Sequence, residues 1–197
     1  MATILYLHGF RSSPLSFKAR LTGDRVRELG WDGRFLCPQL PPSPREAIAL
    51  AERLVAGVPA DELALVGSSL GGFYATWLAE RLGCRAVLLN PAVKPPRDLE
   101  KYVGVQTAWH SDATFEFRRE YIDELKALAV PAITRPERYF LVAATGDEVL
   151  DWREMVAHYP GARHCVIEGS DHGIAEYADY VDAVLGFCGV PVAERLA

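Results

Sequence analysis

The segment Gly67-Ser68-Ser69-Leu70-Gly71 sets a serine midway between two glycines. That is the spacing of a turn sharp enough to lift one hydroxyl clear of its surroundings, a nucleophile elbow. Side chains two residues before and two after the serine would collide in such a turn; glycine avoids the collision and tolerates the strained dihedrals. A serine hydroxyl is a poor nucleophile at neutral pH and needs a general base, commonly a histidine oriented by a carboxylate. Asp147 and then His172 offer that pair further along the chain, giving the order serine, acid, histidine. Such a set attacks acyl carbonyls with no metal and no cofactor. The pentapeptide alone decides little. With glycine at ordinary usage, its three fixed positions arise by chance in roughly one chain of this length in twenty.

The elements around these residues decide more. Apolar runs at 4–7, 35–37, 63–66, 86–89, 139–144 and 165–167 read as strands, short and continuous as in sheets covered on both faces. Helical stretches alternate with them: 16–29 closed by Gly30, a segment opening at Ser43, the stretch after the elbow up to Leu82, 151–158 and 174–187. At Ser43-Pro44-Arg45-Glu46 the serine caps, proline takes the first helical position and glutamate lies three residues past the cap. Ile48, Leu54, Val55 and Val58 would be the inward side of that helix.

This alternation predicts an α/β fold, a doubly wound, mainly parallel sheet of about six strands, in a single domain. Ser69 follows the third strand, Asp147 the fifth and His172 the sixth. All three therefore fall at the C-terminal edge, where open α/β sheets place their ligands. Residues 93–138 break the rhythm. They carry Tyr102, Trp109, Phe115, Phe117 and Tyr121 and one amphipathic helix, Phe117/Tyr121/Leu125/Leu128. An insertion of that size at that place predicts a small cap.

Each role has rivals. Ser68 is adjacent to Ser69 but is not centred between Gly67 and Gly71. Glu148 and Asp151 lie near Asp147; Asp151 fits a cap of the following helix. Asp171 directly precedes His172 and would point elsewhere, as a cap or ion pair. His110, His158 and His164 lack a strand-end setting. His8 has one, and fits a structural part in bracing the loop after the first strand. A tetrahedral intermediate requires two N–H donors. Here they are expected from Leu70, at the positive end of a helix, and from Phe10 in the loop His8-Gly9-Phe10.

The 197 residues carry a net charge of −5, and no Lys/Arg cluster marks a nucleic-acid or anionic-membrane partner. No apolar run approaches the ~18 residues of a membrane span, and the first apolar stretch reads as a strand, which points to the cytoplasm. Cys37, Cys84, Cys165 and Cys188 are too scattered for a zinc site or a disulfide framework; they read as reduced, packed thiols.

Several longer stretches closely resemble the YqiA-like small esterases of the α/β-hydrolase superfamily. They are residues 6–14 (YLHGFRSSP), 38–42 (PQLPP), 67–78 (GSSLGGFYATWL), 90–93 (NPAV), 145–151 (TGDEVLD) and 168–172 (EGSDH). The resemblance runs over essentially the whole chain. It implies a sheet lacking the two leading antiparallel strands of larger members, and a hydrolase for small acyl esters or thioesters. Its triad falls on Ser69, Asp147 and His172. Trp152 stands where the family pattern has tyrosine, and residues 100–119 match less well, which leaves substrate preference open. Acyl transfer and a non-catalytic binding protein on the same scaffold are the alternatives. Haloalkane dehalogenation would want aspartate at the elbow. Oligomeric state is not readable from the sequence.

Overall fold

A computed structural model describes residues 2–31 and 33–192. Eight strands form among them: β1 (Thr3–Leu7), β2 (Arg34–Leu36), β3 (Leu63–Ser68), β4 (Arg85–Leu89), β5 (Gly104–Thr107), β6 (Thr114–Phe117), β7 (Tyr139–Ala144) and β8 (Arg163–Ile167). Six of them build one sheet in the order β2-β1-β3-β4-β7-β8, and every pairing in it is parallel.

Side chains alternate across the sheet with the period of two that strands impose. Ile4, Tyr6, Val66, Val87 and Val142 enter one core. Leu5, Leu7, Leu65, Leu88 and Leu141 enter the other. The first core is closed by α1 (Phe17–Glu28) and α7 (Tyr177–Phe187). The second is closed by α2 (Pro44–Leu54), α3 (Leu70–Leu82), α5 (Arg119–Ala127) and α6 (Trp152–His158). Each fully covered Leu or Val contributes about 1.5–3 kcal/mol. Burial on both faces explains why the strands read as unbroken apolar runs.

Local signals set the helix ends. Ser43 Oγ accepts the Glu46 N–H at 3.2 Å, with Pro44 at the first position of α2. Asp151 Oδ1 accepts the Arg153 N–H at 2.9 Å to open α6. Gly83 closes α3 at φ 75°, a left-handed setting that favours glycine.

Two expectations need correction. The last helix starts at Tyr177, not 174, because Ile174 stands at φ 54° and bars helical continuation. The insertion also contains a strand pair that the sequence reading did not anticipate: β5 and β6 pair antiparallel, Gly104 opposite Phe117. Phe117 therefore ends a strand instead of opening the amphipathic helix, which is α5. A short helix, α4 (Pro95–Leu99), leads into this hairpin.

The insertion is pinned where it leaves β4. Glu154 on α6 accepts from Lys94 at 2.8 Å and from Arg97 at 2.9 Å through each carboxylate oxygen. The Arg97 and Lys94 hydrogen bonds hold the Glu154 carboxyl down at about 2. A lowered carboxylate stabilises the fold above its ordinary value of 4.5 and loses that contribution as pH falls towards 2. Glu154→Gln is accordingly expected to lower the melting temperature slightly at pH 7, the difference from wild type shrinking in acid. The loss should stay within about 1 kcal/mol because the partners are half exposed.

Candidate active site

β3 delivers Ser69 into a turn at φ 55° and ψ −120°, a conformation that side chains rarely adopt and that costs about 1–3 kcal/mol. The surroundings over-determine it. The Ser69 N–H donates to Leu89 O, and its carbonyl accepts from Gly72 and Ala92. A Cβ on Gly67 would overlap the Gly71 carbonyl, and one on Gly71 would overlap the Leu7 carbonyl oxygen. Backbone cannot yield there. Gly71→Ala is expected to cost about 3 kcal/mol or more, read as a fall in the urea midpoint with the slope unchanged.

Among the described residues, the other non-glycine positions at positive φ are Arg11, Asn90 and Ile174. They follow β1, β4 and β8, so backbone strain gathers along one edge of the sheet. Strain of this kind concentrates where geometry serves a site.

Asp147 and His172 meet at that edge. His172 Nδ1–H donates to Asp147 Oδ2 at 2.7 Å, and the carboxylate side chain is 0% exposed. The second carboxylate oxygen, Oδ1, accepts the N–H groups of Val149 and Leu150, both at 2.8 Å. The bond at Nδ1 leaves Nε2 free of the proton and able to act as a base. Ser69 and His172 border one cavity of about 640 Å³ together with Phe10, Leu70, Leu99 and Tyr102. No hydrogen bond joins Ser69 to His172 among the described residues; catalytic bonds are often long until substrate is bound. A larger hollow of about 1110 Å³ lies beyond Phe10 and Leu70, but it touches neither Ser69 nor His172.

Gly9 brings the loop after β1 over Ser69: a Cβ there would stand 3.2 Å from Ser69 Cβ. The backbone N–H groups of Phe10 and Leu70 are taken by no hydrogen bond among the described residues. His8 is engaged at both nitrogens. Nε2 accepts the Leu40 N–H at 3.0 Å, which leaves Nδ1–H to donate to Gly9 O. Burial lowers its pKa, and it fastens the loop against the proline-rich turn.

The remaining rivals stand elsewhere. Glu148 Oε2 accepts the His172 N–H at 3.0 Å. Asp171 Oδ1 accepts the Ala175 N–H. Ser68 is buried at the end of β3. His158 packs edge-on against Tyr159, and His164 Nε2–H donates to Tyr159 O. His110 lies on the hairpin tip, with Nδ1 3.1 Å from Ser13 Oγ. Among the described residues, no three His, Cys, Asp or Glu side chains stand together as a metal site, and no helix is long and apolar enough to cross a membrane.

Two features escaped the sequence reading. Asn90 at the end of β4 donates through Nδ2 to the carbonyls of Asp171 and His172, and its Oδ1 accepts from the Ala144 N–H. Its place at a strand end was the visible signal. The hairpin also binds the loop after β1: the Trp109 N–H donates to Arg11 O at 2.8 Å, and Arg11 Nε donates to Thr107 O at 2.7 Å. The Arg11 guanidinium sits 4.6 Å over the Trp109 ring. No local pattern announces that pairing.

The parallel sheet, the strained turn after its third strand and the edge that gathers the loops define an α/β-hydrolase fold. The same fold occurs in Est1E from Butyrivibrio proteoclasticus, at 15% identity over 94% of this chain and 86% of that one, TM-score 0.70. It occurs in alpha/beta hydrolase domain-containing protein 10 from mouse, at 16% identity over 93% and 89%, TM-score 0.68. The esterase domain from a Rhodothermus marinus protein shares it at 19% identity over 94% and 85%, TM-score 0.65. The chain itself belongs to the Uncharacterised protein family (UPF0227), the YqiA-like family, which it matches over residues 3–189.

Proposed function

We propose that this protein is a serine hydrolase acting on small carboxylic esters or acyl thioesters. The observation that carries the reading is the buried Asp147 carboxylate, which holds His172 at 2.7 Å above a cavity shared with Ser69 in its strained turn. A binding protein has no need of that arrangement. The esterase and hydrolase neighbours add support at the level of fold.

His172 Nε2 takes the Ser69 proton as Oγ forms a bond to the acyl carbon. The carbonyl oxygen becomes an oxyanion between the N–H groups of Phe10 and Leu70. His172 then returns the proton to the departing alkoxide or thiolate as the carbon–oxygen or carbon–sulfur bond breaks, leaving an acyl-serine. Water attacks that ester, giving its proton to His172. Collapse of the second intermediate releases the acid and restores the Ser69 hydroxyl. Asp147 orients the imidazole and stabilises its cation, and keeps its own charge. The insertion caps the cavity with Leu99, Tyr102 and Trp109 and shapes its choice of acyl group.

The test is intact-mass analysis after exposure to a fluorophosphonate, in which Ser69 Oγ bonds to phosphorus and fluoride leaves. One adduct per chain, absent from Ser69→Ala, supports the reading. No adduct on folded protein would favour a non-catalytic ligand-binding role.

A further inference from the structure

Lys18 is a charged residue in the interior. It is 8% exposed on α1, on the same inward stripe as Thr22 and Val26. Among the described residues no carboxylate takes its ammonium. Nζ instead donates to two backbone carbonyls, His172 O at 3.2 Å and Gly173 O at 2.8 Å. The Lys18 carbonyl accepts from Thr22 Oγ1 at 2.6 Å, and that hydroxyl takes up the Tyr177 OH at 3.0 Å. The turn of helix beneath the ammonium is thereby locked to α7. Asn90 holds the His172 carbonyl from the other side and Glu148 holds the His172 N–H.

Burying a cation is expensive unless it is well partnered, and an apolar side chain would fill the same space at less cost. We propose that Lys18 is a positioning residue: its ammonium fixes the His172–Gly173 backbone and so sets where the imidazole stands between Asp147 and Ser69. The proposal rests on the serine-hydrolase reading. It adds a residue from the first helix to a mechanism whose other side chains come from turns and loops after strands.

The charge is kept at a cost. Burial lowers the Lys18 pKa from 10.5 to about 8, against the opposing pull of Asp171, Asp147 and Glu148. The unfolded chain therefore binds this proton more tightly. The penalty on the fold is complete below about pH 8 and fades as pH rises towards 10.5. A side chain present only for stability would behave otherwise.

Lys18→Met keeps the length of the side chain and removes the ammonium. At pH 7 it is expected to melt no lower than wild type, with any advantage shrinking as pH rises through the window above. Its rate of fluorophosphonate labelling, and its kcat on a short-chain p-nitrophenyl ester, should fall tenfold to a hundredfold, as for a misplaced catalytic group. KM should stay within about twofold. The downfield proton resonance of the His172 Nδ1–H bond should broaden or vanish in the folded variant. Lys18→Arg retains a cationic donor and should lie nearer wild type than Lys18→Met in every readout.

Wild-type labelling and an unchanged resonance in Lys18→Met would overturn the proposal. So would parallel losses of activity and melting temperature, or an arginine variant no better than the methionine one. The resonance judges the proposal even if wild type takes no label, a result that would instead count against the hydrolase reading.

Discussion

Ser69→Ala is expected to take no fluorophosphonate adduct and to lose about 10⁶-fold in kcat on any ester the wild type cleaves. That is the scale on which nucleophile and base act as one unit. What remains is the rate that binding and the oxyanion donors supply without a nucleophile. The fold should survive, because the turn is held by main-chain bonds to Leu89, Gly72 and Ala92, none of which involves the hydroxyl. Ser69→Gly makes a sharper version of the experiment. Glycine has no penalty at φ 55°, so this variant should be equally inactive yet more stable by about 1 kcal/mol. Inactivity with a higher melting temperature would separate loss of chemistry from loss of fold. Full activity in either variant, on purified protein, would end the mechanism.

Asp147→Asn should cost about 10⁴-fold in kcat, although it changes almost nothing in shape. The reason lies in the second carboxylate oxygen. Oδ1 accepts two backbone N–H groups, from Val149 and Leu150, and an amide NH₂ cannot stand in that place. The asparagine must therefore put its carbonyl oxygen there and turn its NH₂ towards His172 Nδ1. A donor facing Nδ1 forces that nitrogen to accept, which moves the imidazole proton to Nε2. The nitrogen that should take the serine proton is then already occupied. Steady-state kinetics on the variant measure the loss directly, and a loss under tenfold would mean that Asp147 merely props the loop. Because the lost property is a tautomer and not a contact, the melting temperature should move little.

Much of this arrangement is legible in the sequence. Strands buried on both faces betray themselves as short apolar runs, and a residue just past such a run must lie at one known edge of the sheet. That reasoning, with the glycine spacing around Ser69 and the order of Asp147 and His172, puts the three residues at that edge, and the parallel six-stranded sheet follows it. What was not legible depends on partners distant in the chain. Lys18 meets the His172 carbonyl 154 positions away, and nothing near it in sequence marks the encounter beyond a charge on an inward helical stripe. The late start of α7 turns on the left-handed backbone of Ile174, a β-branched residue that local preference would never place there. The β5–β6 hairpin was hidden for another reason. Its alternation covers only four residues a side, and Phe117 fits the helical pattern of the next segment equally well.

The bonds from Arg11 to Thr107 and Trp109 carry a consequence for how such a protein could diversify. On the proposed reading the insertion selects substrates, and such an appendage is the natural part to exchange between relatives, since it can change without touching the catalytic groups. Here its tip is fastened to the residue next to Phe10. A transplanted hairpin would tug on that neighbour, so a new preference would arrive with an altered rate unless position 11 changed in step. Inheritance of substrate range in this lineage would then proceed by coordinated pairs of substitutions, and selection would meet the two properties as a single trait.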